Sequence, residues 1–299
     1  MVEVSRSQTP HPCVSAIVDD VFLGSEAVRD GLVSRYRLRT EFRPIYPNVY
    51  VPRHAPASLR KRSVAAWLRS GRRGVLARLA AAALHGSNWI DDDAPVELIW
   101  RNPNPPAGLL THNRRLEPDE ITWVAGLPVT TLARTAFDLG RLLPSNEAVA
   151  RLDALKRATT FSADDVALLA ERYAGARGLR RLREILPLVD AGAASPKETW
   201  LRLLLINAGL PAPTTQIPVQ ENWRTIAVLD MGWEEYQVAA EYDGDHHRSD
   251  RRQYARDQRR LRDLEALGWI VVRVISADGP EDIVRRVKQA LHSRAYRDT

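Results

Sequence analysis

Cysteine is almost absent. Cys13 is the only one in 299 residues, so no disulfide framework can form, and the usage fits a reducing cytoplasm. No Cys or third His stands at ligand spacing near the His246-His247 pair, which excludes an ordinary zinc site. Lysine is scarce too, four against 39 arginines, a bias that reflects a GC-rich gene more than a mechanism. No hydrophobic run approaches the roughly 20 residues of a membrane span. The amino terminus shows no apolar stretch behind a basic patch, so neither membrane insertion nor secretion is expected. Internal repeats and long low-complexity tracts are absent as well. What remains is a chain with 44% hydrophobic residues, enough for real cores, and long enough for two domains or one with an accessory module.

The net charge of +6 hides an asymmetry. Residues 29–78 hold 13 basic and two acidic residues, a net of +11, whereas residues 195–299 hold 16 of each. Such an excess within fifty residues is the electrostatic footprint of a polyanion, nucleic acid first, with a plain soluble basic surface or a site for an acidic protein as the alternatives. It coincides with a motif. Val14 to Phe22 reads as a first helix, Ser25 caps a short helix through Asp30, and Gly31-Leu32-Val33 makes a turn. Ser34 then caps a helix bearing Arg35, Arg37 and Arg39. Phe42-Arg43-Pro44-Ile45 and Val49-Tyr50-Val51 alternate around Tyr46-Pro47-Asn48 as a hairpin does. Helix, turn, helix and hairpin make a winged helix-turn-helix. Arg35, Arg37, Arg39 and Arg43 are its candidate DNA contacts, to phosphate or to guanine edges.

The middle reads as mixed. Short strands are expected at Pro95 to Trp100, Thr122 to Val124 and Leu127 to Thr130. From Leu132 to Leu188 the pattern is helical, broken at Pro144, near Phe161 and at Gly175 to Gly178. Ala191 to Ala194 is the best linker.

Acidic chemistry concentrates in residues 227–247. Two short apolar runs deliver carboxylates: Asp230 in the first, Glu241 and Asp243 in the second. Alternation along a strand sets Glu241 and Asp243 on one side. A hairpin with its tip near Glu235 and Tyr236 sets Asp230 opposite Glu241. Three converging carboxylates repel unless a cation holds them, and hard oxygen ligands suit Mg²⁺ or Mn²⁺. His246 and His247 follow. An imidazole there can take a proton near neutral pH, or both are plain loop residues. Upstream, Ser195-Pro196-Lys197-Glu198 opens an apolar helix closed by Gly209. Glu198 is the third residue of a capping box, a site carboxylate, or both. Downstream comes an arginine-rich helix, Arg248 to Leu267, stopped by Gly268, then the strand Trp269 to Val274. Asp257 falls on the helix stripe with Tyr254, Leu261 and Leu264 that should pack on the sheet. A carboxylate there either supports the site or pairs with a buried arginine.

These residues carry a resemblance. Ser195 to Glu198, Leu229-Asp230, Glu241-Tyr242-Asp243-Gly244 with His246-His247, Arg251 to Arg260 and Gly268 to Val274 resemble the PD-(D/E)XK nuclease superfamily. Within it they are closest to the family similar to very-short-patch-repair endonucleases. The resemblance spans residues 195–292, about a third of the chain. It implies metal-dependent phosphodiester cleavage, with Mg²⁺ or Mn²⁺ on Asp230 and Glu241 and with Glu198 completing the acidic set. It places Arg251 and Arg252 against DNA, and Asp257 with Arg260 behind the site. One departure stands out. Asp243 occupies the position of the superfamily's lysine, which would stabilise the attacking hydroxide. His246 or His247 would then be the base.

Ile45 to Tyr50, Ala80 to Gly86, and Gly126 to Thr131 with Arg134 to Leu139 likewise make Phe22 to about Thr160 resemble the amino-terminal region of the AbiEi-like family. These are antitoxins of abortive-infection systems and DNA-binding autoregulators. The expected fold class is therefore α/β, or α+β overall. It comprises a winged helix-turn-helix over 1–78, a mixed middle region over 79–190 and a PD-(D/E)XK nuclease-like α/β domain over 195–299. The first functional expectation is a metal-dependent DNA endonuclease or nickase with a winged-helix targeting module. The alternative is a non-catalytic DNA-binding regulator or AbiEi-type antitoxin with a degenerate nuclease domain and a cognate toxin as partner. RNA ranks last, since no platform of stacked aromatics is visible.

Overall fold

The computed structural model describes residues 17–18, 20–244 and 251–294, with side chains over 20–244 and 256–294. Within these residues it is mixed α and β throughout, with eleven α-helices and three sheets. Two compact units are formed. One comprises residues up to 84 together with 90–131, the other 85–89 together with 132–299. The chain thus divides at other places than 78/79 and 190/195.

The first unit begins with β1 (Ile17–Val18) and β2 (Val21–Leu23), paired antiparallel. This corrects the helix expected over Val14 to Phe22. A run of apolar residues too short to show a period is ambiguous between helix and strand, and Asp20, at φ +61, turns the chain just before Val21. Next come α1 (Gly24–Arg29), α2 (Arg35–Thr40), β3 (Phe42–Tyr46) and β4 (Val49–Pro52). The four strands form one sheet in the order β1-β2-β4-β3. The next helix, α3 (Leu59–Arg69), is buried from Ser63 to Leu68. Five further strands and one helix follow: β5 (Val75–Ala77), α4 (Arg78–Leu84), β6 (Val96–Ile99), β7 (Leu109–His112), β8 (Ile121–Val124) and β9 (Leu127–Thr130). Their sheet runs β7-β6-β5-β9-β8. Val64, Trp67 and Leu68 of α3 share one core with Val21, Val49 and Val51 of the first sheet and Leu76, Leu98 and Val129 of the second. The winged-helix segment is therefore rooted in the same core as the middle strands.

The second unit opens with four helices: α5 (Leu132–Leu142), α6 (Ser145–Ala158), α7 (Ala163–Arg172) and α8 (Leu179–Ile185). Their breaks fall at Pro144, Phe161 and Gly175 to Gly178, as the sequence indicates. The rest follows as α9 (Pro196–Asn207), β10 (Thr214–Glu221), β11 (Arg224–Trp233), β12 (Val238–Asp243), α10 (Arg251–Ala266), β13 (Ile270–Ile275) and α11 (Pro280–Ser293). The sheet runs β10-β11-β12-β13, antiparallel except for β12 with β13, which are parallel across the α10 crossover. Its two faces bury separate cores. Met231, Val238, Ala240 and Val274 pack with Leu201 and Leu205 of α9 and Ile283 and Val287 of α11. Ile217, Ala227, Leu229 and Ala239 pack with Leu264 of α10 and Trp269. Ala191 to Ala194 is no free linker. Asp153 of α6, 1% exposed, accepts hydrogen bonds from Thr199 Oγ1 and Arg202 Nη2 of α9 and from the Asp190 amide, each at 2.8 Å, and so ties α6 to α9.

Candidate functional site

In the first unit, the chain places α1, a turn, α2 and the β3–β4 hairpin in succession. Gly31, at φ +71, lets the chain leave α1. Val33 then drops into a small core with Phe22 and Ala27. Ser34 Oγ accepts the Arg37 amide at 3.2 Å and starts α2. Ser25 is not the cap of α1. Its amide is capped instead by Asn48 Oδ1 at 3.0 Å from the hairpin turn, while Asn48 Nδ2 donates to Ser25 Oγ at 2.8 Å. The hairpin is thereby pinned to the first helix. No residue of α2 is buried. Arg35, Tyr36 and Arg39 are exposed, whereas Arg37 holds Glu41 with two hydrogen bonds of 2.8 Å. Arg43 is turned inward, giving Nη2 to the Ala55 carbonyl at 2.9 Å. Arg53, which sequence reasoning passed over, donates to the Arg39 carbonyl at 2.8 Å and the Thr40 carbonyl at 3.2 Å, and so closes the end of α2. Arg35 and Arg39 are thus better disposed for a phosphate than Arg37 or Arg43.

In the second unit, Met231 pairs with Ala240, so the next positions outward are Asp230 and Glu241. The register expected from the sequence is the one formed. Leu229 and Met231 nevertheless join opposite cores, so the strand turns over at Asp230. Instead of a ladder bond, Asp230 Oδ2 accepts the Tyr242 amide at 3.0 Å. Asp230, Glu241, Asp243, Asp257, Arg260 and Arg273 line a cavity of about 350 Å³ with Val228, Tyr242 and Leu261. Burial, then the charges of Glu198 and Glu241, push the Asp230 carboxyl up to about 7, against the opposing pull of the Tyr242 amide and Arg260.

The other carboxylates already have partners. Glu241, 8% exposed, is gripped by both terminal nitrogens of Arg260, one at 3.0 Å to Oε2 and the other in a closer approach to Oε1. Arg260 Nη2 also donates to the Val228 carbonyl at 3.1 Å. Asp243 pairs with Arg273 of β13, a partner that sequence reasoning missed. In the parallel register Arg273 lies beside Glu241, two positions from the level of Asp243, so only the strand pairing brings it near. Glu198 is spent on the start of α9. Its Oε2 accepts the Ala194 amide at 2.8 Å, its Oε1 the Ser195 hydroxyl at 2.9 Å, and Ser195 Oγ accepts its amide at 3.2 Å. Lys197 sets its ammonium 5.8 Å from the centre of the Tyr242 ring.

The structure therefore joins Asp230 to Glu241 and sets Asp243, Asp257 and Arg260 around them, but Glu198 serves as a cap. Among the described residues, no group of three or more His, Cys, Asp or Glu could hold a metal ion. Hard oxygens suit Mg²⁺ or Mn²⁺ in kind. As arranged, Arg260 holds Glu241 and Arg273 holds Asp243, so an ion bound here would have to displace those guanidinium groups. His246 and His247 lie outside the described residues, as do the side chains of Arg251 and Arg252.

Comparison with known proteins bears on the centre of the chain. Residues 74–188 match the AbiEi antitoxin C-terminal domain. Of the stretches read as AbiEi-like, those from Ala80 and from Gly126 onward fall inside the match, and Ile45 to Tyr50 falls outside. The matched part is a carboxy-terminal domain of that family, not an amino-terminal one, and it crosses from the first compact unit into the second. Two proteins of Mycobacterium tuberculosis are similar over a longer span. Uncharacterized protein MT2308 of strain CDC 1551 / Oshkosh and Uncharacterized protein Rv2248 of strain ATCC 25618 / H37Rv are each 32% identical over 228 residues, 73% of this chain and 78% of theirs. No solved structure matches. Among the described residues no helix is long and apolar enough to cross a membrane.

Proposed function

The chain belongs to the family of these two mycobacterial proteins and carries the AbiEi match at its centre, and from that membership we propose that it is a DNA-binding regulator of the AbiEi antitoxin type. The observation that carries the reading is α2. It is an arginine-bearing helix, exposed except where Leu38 packs inward, between a turn and a hairpin, inside the fifty residues of net charge +11. A helix so mounted enters a major groove, and its arginines reach phosphates and guanine edges. DNA is the first partner and a cognate toxin the second. The test uses the full chain and duplex DNA from upstream of its own coding region. Affinity should fall steeply with salt as counterions are released. A protein that binds this duplex no better at low salt than at high salt would end the reading. For the second partner, co-expression should relieve the growth arrest caused by a cognate toxin of the abortive-infection type.

DNA cleavage with Mg²⁺ or Mn²⁺ at Asp230 and Glu241 is a second reading. One observation favours it: a half-buried acid pushed up to about 7 beside a second carboxylate, in a cavity walled by arginines. Perturbed acids of this kind mark functional sites as well as structural pairs. Nicking of supercoiled plasmid that needs Mg²⁺ or Mn²⁺ and vanishes in both Asp230→Asn and Glu241→Gln would establish it. Intact plasmid with every metal would remove it.

A further inference from the structure

The β10–β11 hairpin ends in Glu221-Asn222-Trp223-Arg224, with Glu221 paired to Arg224 across a two-residue turn. Both turn residues have positive φ, +48 at Asn222 and +65 at Trp223. Turns of this kind favour Asn followed by Gly, because the second position also lies in the left-handed region. A tryptophan there is strained, since its Cβ crowds the backbone. Its indole is also 99% exposed. The largest apolar side chain thus sits where backbone and solvent both disfavour it, and no packing in the fold accounts for it.

The mount is rigid. Ile217 and Val219 of β10 and Ala227 and Leu229 of β11 are buried against Leu264 and Trp269. The tip itself is polar, since Gln220, Glu221, Asn222, Arg224 and Thr225 are all exposed. A protein interface would ask for apolar neighbours around such an anchor. A lone ring on a slim two-stranded ribbon, with an arginine beside it, suits a single flat partner that is also anionic. Those properties belong to a nucleotide, whose base supplies a flat face when it is unstacked and whose phosphate supplies the charge. In a duplex the base faces are hidden in the stack, so the partner is single-stranded. The same strand continues from the tip to Val228 and Asp230 in the cavity, about 23 Å away at 3.3 Å per residue.

We propose that Trp223 at the tip of the β10–β11 hairpin is a stacking platform for an unpaired base of single-stranded DNA, with Arg224 beside it for the phosphate. This rests on the DNA-binding reading but on a different part of the chain. The test measures binding of the full chain to a single-stranded oligonucleotide and to the same sequence as a duplex. Loss of one base–aromatic stack weakens binding about fivefold to a hundredfold. Trp223→Ala should show that loss on the single strand and none on the duplex, and Trp223→Phe should recover most of it. Trp223→Gly should lose single-strand affinity while raising Tm by about 2 °C or more, because glycine relieves the turn. Equal single-strand affinity in the parent and Trp223→Ala would overturn the proposal. So would a Trp-dependent binding to anionic lipid vesicles with no such effect on DNA. Replacing Arg35 and Arg39 should weaken the duplex and spare the difference between parent and Trp223→Ala, so failure of the winged-helix reading and failure of the platform give different results.

Discussion

At the scale of single residues, Asp230 is the most informative side chain. Its folded pKa stands at about 7, above the ordinary value of 3.8. Below pH 3.8 the carboxyl is neutral in both states and contributes nothing. Between about 4 and about 7 the unfolded chain releases the proton while the folded chain keeps it, so stability falls as pH rises, and above 7 the cost is constant. Asp230→Asn should therefore stabilise the protein by about 1–3 kcal/mol at pH 8 and by little near pH 4, as urea unfolding at the two values would register. An equal effect at both would mean the acid is not held neutral by its surroundings. Burial raises the Asp153 carboxyl too, but Asp153 answers a buried cation, Arg202. Asp153→Ala strands Arg202, which is 4% exposed, and should cost about 3–5 kcal/mol. A double change with Arg202→Met should recover much of that in the same unfolding assay. Legibility at this scale followed chain distance. The Ser195–Glu198 box was readable because its partners are three residues apart. Asn48 capping a helix that begins 24 residues earlier, and Arg273 neutralising Asp243 from a parallel strand, were not, because only tertiary structure creates those pairs.

At the scale of elements, the sequence pattern located most helices and several strands, and it failed where periods are short. Of the breaks between the four helices from Leu132 to Ile185, those at Pro144 and at Gly175 to Gly178 showed through Pro and Gly, and the one near Phe161 through the Thr159 to Ser162 stretch. The strands β1 and β2 together span so few residues that helix and strand patterns coincide. The strands β5 and β7, of three and four residues, gave no alternation to read. The helix read over Arg35 to Arg39 is formed, but its arginines are not equivalent. Arg37 already holds Glu41 and Arg43 already holds a backbone carbonyl. Replacing Arg35 and Arg39 together by alanine should thus weaken duplex binding and flatten the slope of log affinity against log salt by about 2, near one for each phosphate no longer neutralised. Arg37→Ala should change the slope by less than either. Equal slopes for all these variants, measured by fluorescence anisotropy across a salt series, would mean that other residues hold the phosphates.

At the scale of the whole molecule, the carboxy-terminal segment runs helix, three strands, helix and strand, where its sequence indicated two or three strands between the helices, and the antitoxin likeness lies in front of it. The compact units interleave along the chain, since residues 85–89 belong to the second and 90–131 return to the first. In the five-stranded sheet, β9 lies between β5 and β8, yet it is made about 50 residues after β5 begins. On the ribosome, a nascent chain that has released β5 presents it with at least one side open until Thr130 emerges. At 5–20 residues per second that interval lasts roughly three to ten seconds. An open strand edge is a template for pairing with another chain, so this stage of synthesis is where a chaperone would be needed, and slow codons between residues 78 and 130 would lengthen the exposure.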